Sequence, residues 1–143
     1  MKQFLLIVTV WLGLGVSAFG QGVLTNKDVI AMITGKVGKS LIESKIQSSP
    51  AKFDLTPQGL IELETAKVPD GIVKVMMGKT TMTDVMTNEH VIQLTNAKVS
   101  KTLISEKIKR GKNKFDTSVD GLIALRSAKV SDGIVKDMMA APK

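Results

Sequence analysis

Five basic side chains lie within eight residues: Lys107, Lys109, Arg110, Lys112 and Lys114, with Glu106 beside them. Exposed cations at that density attract polyanions through screened electrostatics. The chemistry they could do is docking of an anionic partner, a lipid headgroup or an acidic polysaccharide. A solvated loop is the plainer reading. The equivalent stretch of an earlier repeat, Gln47-Ser48-Ser49-Pro50-Ala51-Lys52, is nearly neutral. That asymmetry favours a polyanion-binding site at residues 107–114.

Other chemistry has less to stand on. The chain has no cysteine and one histidine, His90. A nucleophile needs a base and an orienting group that converge on it, and no serine lies in a nucleophile-elbow sequence. Asp54 and Asp116 occupy equivalent positions and could pass for paired carboxylates, but Thr56 and Ser118 two residues on point to loop and cap hydrogen bonds. The remaining carboxylates are scattered without a calcium-loop spacing. No enzyme activity, metal or cofactor is expected. Beyond the first 20 residues the only aromatics are Phe53 and Phe115, again equivalent positions. Single-stranded nucleic acids and methylated ammonium groups are gripped by aromatic faces. Two lone phenylalanines read instead as core plugs.

The elements that carry these residues are written by repetition. Residues 25–77 align without a gap on 87–139, and 28 of the 53 positions are identical. A second register appears at half that offset, 31 residues, so that Lys36-Val37, Lys67-Val68, Lys98-Val99 and Lys129-Val130 coincide. Self-similarity at such a period marks a repeat architecture. Apolar residues recur at helical spacing in each segment, as in Val29-Ile30-Met32-Ile33. Thr25-Asn26 and Thr87-Asn88 read as helix N-caps, and Thr56-Pro57 as a cap followed by proline at the first helical position. Gly38 and Ser100 suit the start of a following helix. The alternation that marks a strand is missing outside the N-terminal segment.

The expected fold is therefore all-α. It consists of tandem duplicated four-helix units, each made of two short helix-turn-helix hairpins, spanning residues 23–77 and 85–139. A linker is expected over 78–84, with Gly78 capping the helix before it. Short isolated helices are marginal in water, so hairpins must cover one another. The core of the first unit is expected to hold Val29, Ile30, Met32, Val37, Leu41, Ile42, Ile46, Phe53, Leu60, Ile61, Leu63, Val68, Ile72, Val73, Met76 and Met77.

Residues 1–20 read as a cleavable signal peptide: Lys2, an apolar run from Phe4 to Leu14, and Ala18-Phe19-Gly20 before the cut. The run is too short to span a bilayer comfortably, and there is no lipoprotein cysteine. Export to the periplasm or beyond follows. The exported chain then carries 19 basic and 13 acidic side chains.

The strings Leu24-Thr25-Asn26, Phe53-Asp54, Leu60-Ile61-Glu62-Leu63, Asp70-Gly71-Ile72-Val73 and Ala128-Lys129-Val130-Ser131-Asp132 resemble a repeat of exported proteins of Gram-negative bacteria. That family shows Ala-Gly-(Val/Leu)-Ser at its turns and Phe-Asp-Thr-Ser between hairpins. The resemblance covers residues 23–139 and implies no established activity. All four turns here depart from it in carrying Lys where the family has Gly. If that position is left-handed, each Lys costs on the order of 1 kcal/mol.

The turns also look like a DNA-binding helix-turn-helix, whose second helix enters the major groove. Asp132 and Asp137, and Asp70 in the first unit, would repel phosphate there, and export removes the chain from genomic DNA. Nucleic acid is not the expected partner. The reading that remains is an exported helical-repeat scaffold that binds an envelope or extracellular protein. Polyanion or membrane-surface binding through 107–114 is the alternative, and DNA binding a second.

Overall fold

The computed structural model describes residues 22–142; the expected signal peptide lies outside them. The described chain is all-α. Its helices are α1 (Asn26–Thr34), α2 (Lys39–Ser48), α3 (Pro57–Thr65), α4 (Asp70–Lys79), α5 (Asn88–Asn96), α6 (Lys101–Arg110), α7 (Val119–Ser127) and α8 (Asp132–Ala140). Thr25, Thr56, Thr87 and Ser118 cap the odd-numbered helices, one per 31-residue repeat. At Thr25 and Thr87 the box is closed by a return contact, from Asp28 and His90 respectively. Each such contact satisfies a backbone N–H that the helix leaves orphaned.

All four hairpins turn in the same way. Lys36, Lys67, Lys98 and Lys129 have φ of 58°, 59°, 64° and 60°. In the first turn the N–H of Val37 donates to the Met32 carbonyl at 2.9 Å and that of Lys36 to Ile33 at 3.0 Å. This is a Schellman closure, in which the left-handed residue is ordinarily glycine and the residue after it makes an apolar contact with the last turn. The same pair of bonds recurs at Val68, Val99 and Val130. The turn lysines therefore occupy left-handed positions.

Helix α1 packs on α3, α3 on α5 and α5 on α7; α2 packs on α4, α4 on α6 and α6 on α8. The hairpins thus form two parallel rows of helices, a stack in which each repeat rests on the next, as in solenoid proteins. The end helices give the direction of each face. Helix α8 packs chiefly on α6 and buries Ile134 and Met138; α2 packs chiefly on α4 and buries Ile42 and Ile46. Positions equivalent to Ile134 and Met138 therefore face the preceding repeat. Those equivalent to Ile42 and Ile46 face the following one.

The expected linker is not a free spacer. Helix α4 runs through Gly78 to Lys79 and is capped by Thr80 rather than by Gly78. Met82 and Met86 are buried. The packing of α3 on α5 and α4 on α6 continues the pattern seen inside each unit, so the 62-residue units are joined by the same kind of interface that joins their halves. Two short strands also appear, β1 (Val85–Met86) and β2 (Lys112–Asn113), paired in parallel. Leu24 and Ala51 make the same bridge one unit earlier. These pairings tie the entry of a hairpin to its exit, and two residues are too few to show an alternation in sequence.

Candidate functional site

The basic stretch is not one loop. Lys107, Lys109 and Arg110 belong to the last turns of α6, and Lys112 to β2. Lys107 is fully buried, with its Nζ 2.8 Å from Asp84 Oδ1 and 3.7 Å from the Met82 sulfur. It is thereby withdrawn from the expected polyanion site. The reason lies in the repeat: Lys107 occupies the position of Met76 and Met138, and Asp84 that of Phe53 and Phe115. An apolar pair spaced 23 residues apart is exchanged, in the middle of the stack, for an ion pair. The second carboxylate oxygen of Asp84 is buried without a partner.

The other four cations stay exposed. Lys109 lies 3.8 Å from Asp137, and Arg110 donates to Glu106 at 2.9 Å. Exposed pairs of this kind contribute roughly 0–1 kcal/mol and leave both groups open to exchange with an external anion. Lys112 and Lys114 flank the half-buried Asn113 and are both exposed, and the Lys114 N–H donates to the Met86 carbonyl at 2.8 Å.

The equivalent aspartates hold loops. The Asn26 side chain donates to the Asp54 carbonyl at 2.8 Å and accepts from the Asp54 N–H at 3.1 Å; Asn88 does the same for Asp116. The Asp54 carboxylate accepts from the N–H and hydroxyl of Thr56. The Ser118 hydroxyl, followed by its N–H, holds the Asp116 carboxyl below its usual range. Asp28 is lowered in the same way, first by the Thr25 N–H and then by its hydroxyl. Gly59 and Gly121 let these loops come close, since a Cβ at either would run into the carbonyl of Asp54 or Asp116. His90 uses Nδ1 to accept from the Thr87 N–H at 3.3 Å, a capping role. Among the described residues no group of three His, Asp or Glu side chains gathers that could hold a metal, and no helix is long and apolar enough to cross a membrane.

The ends of the stack are the feature that sequence reading missed. Leu41 is 67% exposed, whereas its equivalents Ile72, Leu103 and Ile134 are at 0%, 3% and 2%. Val37 is 39% exposed against 5% or less at Val68, Val99 and Val130. Both residues belonged to the expected core. They are open because they face a preceding repeat, and none of the described residues supplies one. The other end mirrors this. Met139 is 59% exposed, while Ile46, Met77 and Ile108 are at 0–2%. Phe115 is only half-buried where Phe53 is buried, and it borders a cleft with Met138 and Met139. The plug role therefore holds for Phe53 and only partly for Phe115.

The fold and these faces define a two-layer α-helical repeat stack with open ends. No protein-family model, curated protein or solved structure matches the chain.

Proposed function

We propose that the protein is an exported scaffold of the cell envelope that binds protein partners through the open ends of its helical stack. One observation carries the reading: the positions that are sealed between internal repeats stand exposed at both termini, at Leu41 and at Met139. Repeat stacks ordinarily end in units with a polar outer face. Contiguous exposed apolar surface marks an interaction site. The charge exposed at Lys109, Arg110, Lys112 and Lys114 supports polyanion binding less well, because Lys107 is committed to Asp84.

The test is affinity capture from envelope extract with three immobilised forms: the parent, the double variant Leu41→Glu/Met139→Glu, and a variant with Lys109, Arg110, Lys112 and Lys114 all changed to Ser. Loss of the captured protein with the double variant alone is the expected result. Loss with the serine variant alone would move the site to the cationic segment.

A further inference from the structure

The open ends are complementary to each other by construction. At every internal interface the face equivalent to Leu122, Val135 and Met139 lies against the face equivalent to Met32, Val37 and Leu41. Helices α2 and α4, α4 and α6, and α6 and α8 each make this junction in the even-numbered row. The side chains involved are interchangeable in type: Leu41 matches Ile72, Leu103 and Ile134; Met139 matches Ile46, Met77 and Ile108; Val135 matches Ile42, Val73 and Ile104. In the interior these positions are no more than 3% exposed. The chain therefore carries, at its two termini, the separated halves of an interface it already forms three times.

We infer that a second copy of this chain is the occupant: the C-terminal face of one molecule docks on the N-terminal face of the next, head to tail. This rests on the open-end reading above and names the partner. The contact is heterologous, since the two patches differ, so association proceeds past the dimer, as a ring or a fibre according to the rotation between copies. It is weaker than an internal junction for two reasons. The covalent link that raises the effective concentration is missing. So is a connector like that at 80–87, with its buried Met82 and Met86 and its Asp84. Lys45 occupies the position of buried Lys107, and no acid equivalent to Asp84 accompanies it, so this charge weakens the junction further. Assembly is thus reversible and concentration-dependent. Because apolar burial drives it, it persists at high salt, where ion pairing between exposed charges is screened.

Sedimentation velocity of the purified exported protein, from micromolar to millimolar and at low and high salt, tests the inference. The parent is expected to pass from monomer through dimer to larger species at both salts. Leu41→Glu and Met139→Glu alter exposed side chains, and each alone should stay monomeric with an unchanged far-ultraviolet circular dichroism spectrum. Mixed in equal amounts they should form a heterodimer and nothing larger, because each supplies the one face the other has lost. A parent that is monomeric throughout overturns the inference. So does a single variant that still dimerises, which would mean like faces pair. If the parent is monomeric while Leu41→Glu/Met139→Glu loses a captured envelope protein, self-assembly falls and the scaffold reading stands.

Discussion

Four lysines sit where the backbone favours glycine. At Lys36, Lys67, Lys98 and Lys129 the positive φ goes with the two Schellman bonds, donated by the N–H of the lysine and of the valine that follows. An L side chain in this region costs on the order of 1 kcal/mol, partly offset because glycine would add entropy to the unfolded chain. Lys67→Gly and Lys98→Gly should therefore each raise stability by a few tenths to about 1 kcal/mol. Thermal denaturation of the single variants checks this; a lowered midpoint in both would mean that lysine contributes something the turn geometry does not contain. The turn could be read from sequence because the same Lys-Val pair returns every 31 residues. The role of Lys107 could not be read from local composition, since a basic run normally signals a solvated face. Its alignment with Met76 and Met138 was the one available sign that it belongs to the core.

The helices and their caps were legible for a physical reason: each cap depends on residues within four positions of it, such as Thr25 with Asp28 and Thr56 with Pro57. Burial of helix faces was legible only in part, because it depends on which repeat lies next door. Leu41 and Ile72 have the same character and spacing, yet one is open and the other sealed. The junction between α4 and α6 shows how a connector can be mistaken for a linker. Its Thr-rich segment has no periodicity, but Met82, Asp84 and Met86 all pack. Here the exchange of a Phe–Met pair for Asp84–Lys107 makes a clear expectation. Removing the acid with Asp84→Ala leaves a fully buried ammonium without its counter-ion and should cost on the order of 3–5 kcal/mol. The double change Asp84→Phe/Lys107→Met restores the pair found elsewhere in the repeat and should recover most of that loss, since a well-packed apolar pair often equals or exceeds a buried ion pair. Denaturant unfolding of the two variants measures both terms. A cost below about 1 kcal/mol for Asp84→Ala would remove the ion pair from the account of this interface.

At the scale of the molecule, the described residues form a column of four like hairpins whose stability is the sum of weak repeats and the interfaces between them. One hairpin has little core of its own, so position in the column governs how firmly each is held. Amides in α3, α4, α5 and α6 have a helix of the same row on either side, whereas α1, α2, α7 and α8 have one. The same asymmetry opens the terminal faces on which partner binding and self-assembly are argued to depend. The central claim, that the chain is one continuous stack with open ends, is tested most directly by native-state hydrogen exchange read by mass spectrometry. The account predicts the strongest protection in α4 and α6, measurable protection at Met86, and progressively faster exchange toward α1 and α8. Equal protection in the two 62-residue halves, with residues 80–87 exchanging at the rate of an unstructured peptide, would contradict it.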